Sequence, residues 1–132
     1  MGRYAMIGVA IWAAGTAALR LAGHHLFAPD RPLTVAVTFA ASAVAFALLT
    51  RFAFDREGLD DAQRRTASLA LVLLPMLLDV PSVLAAGVLF PNLDPAIHAT
   101  LGAYLMLGYW AILLGGFLPA KGGATRRTAH AA

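Results

Sequence analysis

The sequence predicts an all-α integral membrane protein, an antiparallel four-helix bundle in which each helix crosses the bilayer once. Of its 132 residues, 60% are hydrophobic and 13% are charged. Ordinary soluble domains are about 45–50% apolar and about 25% charged. Four apolar runs, each of about 20 residues, are separated by short polar segments, and this is the length that a helix needs to cross a bilayer. We expect helices that are adjacent in sequence to be neighbours in space, because the connections are short.

The first two spans are predicted at residues 4–26 and 33–54. A cleaved signal peptide is the alternative for the first, but Arg20 and His24 interrupt the region where cleavage would occur. We therefore expect this span to remain in the mature protein. Pro29 and Pro32 end it. The second span carries alanines four residues apart, which allow close helix packing in lipid, although alanine is abundant throughout the chain.

A polar segment precedes the third span, which is predicted at residues 66–90. Asp60 and Gln63 have the spacing of a capping box, so the helix is expected to begin near Asp61. The first-turn carboxylate of Asp61 also suits the positive end of the helix dipole.

Two prolines, Pro75 and Pro81, flank an aspartate, Asp79, inside the third span. Each proline removes a backbone donor, so the carbonyl groups of Leu71 and Leu77 lose their usual helical hydrogen bonds. We predict a kink between Pro75 and Pro81.

The fourth span is predicted at residues 96–118. Residues 1–120 then form a single four-span membrane domain, and residues 121–132 form a basic cytoplasmic tail that is expected to be disordered. Of the ten lysines and arginines, Arg20 lies inside a span and Arg31 lies on one side of the membrane. All the others lie on the opposite side. The positive-inside rule therefore predicts that both termini lie in the cytoplasm, and we expect the membrane to be the inner (plasma) membrane.

Arg20 and Asp79 are the ionisable residues deepest in the predicted bilayer. Their distances along the first and third helices are similar, and an ion pair is the least costly way to bury either group. Thr16 and His24 share the helix face of Arg20, and His98 lies near the outer end of the fourth span. The five residues form the candidate ligand site. Trp12, Tyr104, Tyr109 and Trp110 are interpreted as packing or interfacial residues.

No catalytic motif is present, and we lean towards a protein without enzymatic activity. The chain has no cysteine, which excludes disulfides and thiolate metal sites. Haem or a metal ion between His24 and His98 is conceivable from the residue types, but no short motif concentrates the ligands, and no cofactor or metal is predicted. Basic residues are not interleaved with aromatic ones, so no nucleic-acid partner is expected.

Three segments carry a family resemblance: IWAAGTAALRLAGHHLF at residues 11–27, LDVPSVLAAGVLFPNLDP at residues 78–95 and HATLGAYLMLGYWAILLGG at residues 98–116. In these segments the chain resembles an uncharacterised family of small four-span bacterial membrane proteins, a domain of unknown function. The resemblance implies the four-span plan and no activity.

Two functions fit these observations. The first is a non-enzymatic structural or accessory subunit that contacts the lipid bilayer and docks onto a second copy or a larger membrane complex. The alternative is small-molecule binding, transport or proton relay through an outer-facing polar cavity around Arg20 and Asp79.

Overall fold

The computed structural model describes residues 2–120, and the predicted tail at residues 121–132 lies outside them. In this range all regular structure is helical, and no strand is present. The long helices are α1 (Gly2–Leu26), α2 (Pro32–Arg56), α3 (Asp61–Leu84) and α5 (His98–Phe117). A short helix, α4 (Ala86–Leu89), follows α3, and a 3-10 turn (Pro95–Ile97) leads into α5.

Four helical segments are long and apolar enough to cross a membrane: Gly2–Leu26, Pro32–Arg56, Asp61–Leu84 and Pro95–Phe117. Many large apolar side chains on them are exposed, including Leu21, Leu33 and Val80. Such surfaces suit contact with lipid tails. The chain is therefore a small all-helical protein with the build of a multi-pass membrane protein.

The connection between α2 and α3 follows local sequence signals. Gly58 has a φ of +66°, and the amide of Leu59 donates to the carbonyl of Phe54 at 3.2 Å, which is the Schellman arrangement at a helix end. The predicted capping box is confirmed. Asp60 Oδ1 accepts from the amide of Gln63 at 2.8 Å, and Gln63 Oε1 accepts from the amide of Asp60 at 3.0 Å.

The main helix contacts do not follow the order of the chain. α1 packs on α3, α3 packs on α5, and α5 packs on α2, whereas α1 and α2 touch only slightly. The expectation that consecutive helices would be the main neighbours holds for α3 and α5 but is wrong for α1 and α2. A short turn brings two helix ends together, but it does not determine which helix faces fit each other.

Glycines at three positions explain which helices pair. A Cβ atom added to Gly8 in α1 would collide with the carbonyl oxygen of Leu71 in α3, and one added to Gly115 in α5 would collide with that of Ala47 in α2. A Cβ on Gly116 would lie 2.5 Å from the Cβ of Ser68 in α3. Each main interface therefore includes a close approach at a glycine that a larger residue would prevent, as expected for packing in lipid.

Contacts between opposite helix ends support the predicted antiparallel order. Arg3 near the beginning of α1 forms a 2.7 Å ion pair with Glu57 just after α2, and Ser68 near the beginning of α3 meets Gly116 near the end of α5. The kink at the prolines stays a prediction; α3 runs as one helix past both Pro75 and Pro81.

A hydrophobic core closes one end of the molecule, near the α1–α2 turn and the segment that joins α4 to α5. Phe27 and Phe90 are almost fully buried there, and the Phe27 ring meets the Tyr104 ring edge-on at 4.9 Å. The core consists of Leu19, Phe27, Ala86, Phe90, Leu93, Ile97 and Leu101. It holds the end of α1, α4 and the segment after α4 against the beginning of α5.

Candidate functional site

Asp79 in α3 is the buried acid of the membrane-spanning region, with 3% of its surface exposed. Trp12 Nε1–H of α1 donates to Asp79 Oδ1 at 2.7 Å, and the hydroxyl of Tyr109 in α5 donates to Asp79 Oδ2. Each carboxylate oxygen thus accepts one hydrogen bond from a different neighbouring helix. A buried polar group is costly without hydrogen-bond partners. These two bonds therefore stabilise the contacts of α1 and α5 with α3.

The predicted ion pair between Arg20 and Asp79 is not formed. Arg20 Nη1 donates to the carbonyl oxygen of Leu89 at 2.9 Å, and the Arg20 side chain is exposed. Trp12, which α1 presents to Asp79, precedes Arg20 by eight residues, about 12 Å along a helix. Similar distances along two helices were therefore insufficient to pair Arg20 with Asp79. The long arginine side chain instead reaches towards the end of α4.

The end of α1 and the turn after α4 hold each other through reciprocal contacts. While Arg20 donates to Leu89, Asn92 Nδ2 donates to the carbonyl oxygen of Leu19 at 3.0 Å. A Cβ on Gly23 would lie 3.1 Å from Leu93 Cδ2. This pattern fixes the guanidinium of Arg20 beside the place where the chain leaves α4.

The predicted histidines lie on different helices and differ in exposure. His24 and His25 are both exposed at the end of α1, with ring centroids 3.9 Å apart. His98 at the start of α5 is half-buried, and its Nε2 is buried without a hydrogen-bond partner among the described residues. The carboxylate of Asp94, four residues before His98, accepts from the amide of Ala96 at 2.8 Å.

Within residues 2–120, no hydrogen bond or ion pair joins any two of the five candidate-site residues. Thr16 is half-buried in α1 and makes no side-chain hydrogen bond within residues 2–120. In the same range, no three histidine, aspartate or glutamate side chains are placed to share a metal ion. The hydrogen bonds of Asp79 go to Trp12 and Tyr109, whereas Arg20 and His24 lie towards the end of α1.

The roles of Trp12 and Tyr109 were not predicted from the sequence. Both residue types often anchor helices at the membrane interface. That interpretation did not consider the Trp12 N–H and the Tyr109 O–H as hydrogen-bond donors to a buried acid. The spacing of Trp12, Thr16 and Arg20 at four-residue intervals was the available signal, since it places Trp12 on the same face of α1 as Arg20. No comparable spacing marks Tyr109, because its contact with Asp79 depends on how α5 packs on α3.

A second polar cluster joins α2 to α3 at the other end of the molecule. Arg64 is 2% exposed; its Nη2 donates to Asp55 Oδ1 at 2.6 Å and its Nε to the carbonyl oxygen of Leu59 at 2.8 Å. Arg51 lies 4.0 Å from Asp55. Removing one partner of such a buried pair leaves an uncompensated charge, so this cluster is best understood as structural.

An open groove of about 680 Å³ lies between α2 and the start of α5. Its lining is almost entirely apolar, and it includes none of Arg20, His24, Asp79 and His98. The groove is lined by Ala28, Pro29, Pro32, Val35, Ala36, Phe39, Ala40, Ile97, Thr100 and Ala103. Its surface suits a lipid chain better than a polar solute.

Comparison with known proteins identifies the family of this chain but does not indicate an activity. No curated protein and no solved structure matches the chain. The model of a family of unknown function, DUF5367, matches residues 26–122. That range contains α2 to α5, including Asp79, Tyr109 and His98, and begins at the last residue of α1. Because the match covers well over half of the sequence, the chain belongs to the DUF5367 family.

Proposed function

We propose that this protein is a non-enzymatic structural or accessory subunit of a membrane assembly, formed with a second copy or with a different membrane protein. Its four long helices cross the bilayer in alternating directions. Both termini lie in the cytoplasm, and the membrane is the inner (plasma) membrane. The charge distribution supports this orientation, because eight of the ten basic residues lie on one side.

The main observation in support of the proposal is the exposure of α2. In its most apolar stretch 6% of the residues are buried, against 33% in α3. α2 packs mainly on α5, and its exposed surface includes Ala41 and Ala45, which are one turn apart. Small exposed residues at this spacing leave room for a further helix to approach closely in lipid.

The polar side chains of Asp79 and Arg64 bind partners within the protein, which also supports a structural role. Asp79 binds Trp12 and Tyr109, and Arg64 binds Asp55. The alternative, transport or proton relay through a polar cavity around Arg20 and Asp79, has less support, because these two side chains have different partners. The groove between α2 and α5 includes neither residue.

The test is the mass of the particle extracted from its native membrane with a mild detergent. We expect a mass larger than one chain plus detergent for the unaltered protein. Ala41→Leu should reduce it to that of a single chain, because the larger side chain blocks close approach on α2. Ala14→Leu is the matched control on an exposed position of α1 and should leave the mass unchanged. A single-chain mass for the unaltered protein, confirmed by cross-linking in the membrane, would contradict the proposal.

A further inference from the structure

The guanidinium of Arg20 has most of its hydrogen-bonding capacity unused. Arginine carries five N–H donors, and the single hydrogen bond of Arg20 within residues 2–120 goes to the carbonyl oxygen of Leu89. No carboxylate in that range lies within ion-pair distance, and the side chain is exposed. The Leu89 carbonyl uses one of these donors and does not balance the charge, so the remaining donors are available to an anionic partner from outside residues 2–120.

The position of the guanidinium narrows the choice of partner. Leu89 is the last residue of α4, and the chain turns at Phe90 to Asp94 before entering α5. Asn92 in this turn holds the carbonyl of Leu19, the residue before Arg20, at 3.0 Å. Arg20 itself lies six residues, about 9 Å, before the end of α1. Its charge is therefore placed where membrane-spanning helices end, which is the level of the lipid headgroups.

His24 adds further donor capacity on the same face. It follows Arg20 by one helical turn, and it is exposed. The His25 ring packs against it with a centroid distance of 3.9 Å. An imidazole presents at least one N–H donor in either protonation state. Arg20 and His24 thus form a donor pair that faces the bilayer at the headgroup level.

We propose that Arg20 and His24 bind the phosphate group of a phospholipid in the adjoining leaflet. A phosphate offers several acceptor oxygens and a negative charge, which match the free edge of the guanidinium. The lipid tails then run along the exposed apolar surface of α1, beside Leu21. This site is separate from the exposed α2 face on which the proposed subunit role depends.

Lipid titration of the purified protein tests the site. The protein is stripped of lipid in an uncharged maltoside detergent and titrated with dihexanoyl-phosphatidylglycerol, and bound lipid is counted by native mass spectrometry. We expect Arg20→Gln to weaken binding by about tenfold or more, since charge-assisted hydrogen bonds to the phosphate are lost. Arg31→Gln is the matched control. Arg31 lies in the neighbouring turn, is exposed, and already has Asp30 at 3.7 Å, so its loss should change binding by less than about twofold.

Two further ligands show whether the site binds the phosphate of a lipid or free inorganic phosphate. Dihexanoylglycerol, which lacks the phosphate, should not bind to the site. Inorganic phosphate should bind much more weakly than the lipid, since it has no tails to lie on α1. Equal binding of phosphate and lipid would overturn the lipid assignment, as would unchanged lipid binding in Arg20→Gln.

A second variant covers the case in which Arg20→Gln does not fold. His24 makes no hydrogen bond within residues 2–120, so His24→Ala should fold and should weaken lipid binding several-fold. Unchanged binding in a folded His24→Ala protein would then overturn the proposal. If Arg20→Gln instead lowers the extracted particle mass while lipid binding is retained, the partner of Arg20 is a protein carboxylate, and the phosphate proposal is wrong.

Discussion

Trp12 and Tyr109 place different requirements on the two oxygens of Asp79. The indole N–H is only a donor, so the oxygen that faces Trp12 must accept. The phenol of Tyr109 can donate or accept, so the atom that faces it can be of either kind. An asparagine therefore fits the site in one orientation, with its oxygen towards Trp12 and its NH₂ group towards Tyr109.

Replacing Asp79 tests these donor and acceptor assignments. Asp79→Asn should cost about 1 kcal/mol or less, because both hydrogen bonds can be kept. Asp79→Leu leaves the Trp12 N–H and the Tyr109 O–H buried without acceptors, at roughly 1–3 kcal/mol each. The free energy of unfolding is measured by titration with a denaturing detergent, followed by circular dichroism. Equal losses in the two variants would show that these hydrogen bonds do not determine the stability of the site.

Two tyrosines of α5 provide a matched comparison between a buried carboxyl acceptor and a hydroxyl acceptor. Tyr109 donates to the carboxylate of Asp79, whereas Tyr104 donates to the hydroxyl of Ser42 in α2 at 2.9 Å. We expect Tyr109→Phe to reduce the free energy of unfolding by about 1–3 kcal/mol, because it leaves one buried oxygen of Asp79 without a donor, and Tyr104→Phe to reduce it by about 0.5–1.5 kcal/mol. The same unfolding titration measures both. A larger loss for Tyr104→Phe would contradict the assignment of Asp79 as the stronger acceptor.

At the level of elements, the contact between α1 and α3 depends on Gly8 and Pro75 together. Pro75 has no N–H, so the carbonyl of Leu71 lacks its usual helical donor. The backbone of α1 approaches this oxygen at Gly8. Such an approach permits a weak Cα–H···O contact with an acceptor that would otherwise face only lipid.

Gly8→Ala should therefore separate α1 from α3. The added methyl group would collide with the Leu71 carbonyl, and we expect a loss of about 1–3 kcal/mol in the free energy of unfolding, the usual cost of overpacking. Gly15→Ala is the control in the same helix. A Cβ there has no neighbour within 4 Å, and alanine is the better helix former, so stability should be unchanged or slightly higher. Similar effects of both changes would argue against a specific backbone contact at Gly8.

Local signals in the sequence predicted the elements better than their partners. The capping box at Asp60 and the apolar lengths of the helices depend on residues within one segment, and both are found. The pairing of α1 with α3 depends instead on Gly8 meeting a carbonyl more than sixty residues away. Likewise, Arg20 and Asp79 lie at similar distances along their helices in the sequence, but this does not specify how α1 and α3 align, and the structure places Trp12 against Asp79. The partners of Asp79 therefore required the structure.

For the whole molecule, the charge distribution predicts the orientation in the membrane, which the helices alone do not. A fluorescent protein fused after Ala132 should be fluorescent, because both termini are expected in the cytoplasm. Alkaline phosphatase inserted after Asp30, in the turn between α1 and α2, should be active, because that turn is expected outside. Whole-cell fluorescence and phosphatase assays measure both. An active phosphatase at the C-terminus would reverse the proposed orientation.

The order of helix contacts also affects how the protein is made. α1 has its main partner in α3, whose last residue, Leu84, is synthesised 58 residues after Leu26, the end of α1. At about 5–20 residues per second, α1 waits roughly 3–12 seconds for that partner. α2 waits for α5, the last of the described helices to leave the ribosome. The first half of the chain therefore resides in the bilayer without its native neighbours. During that interval its glycine and alanine faces are accessible to insertion factors, quality-control proteases and other nascent helices.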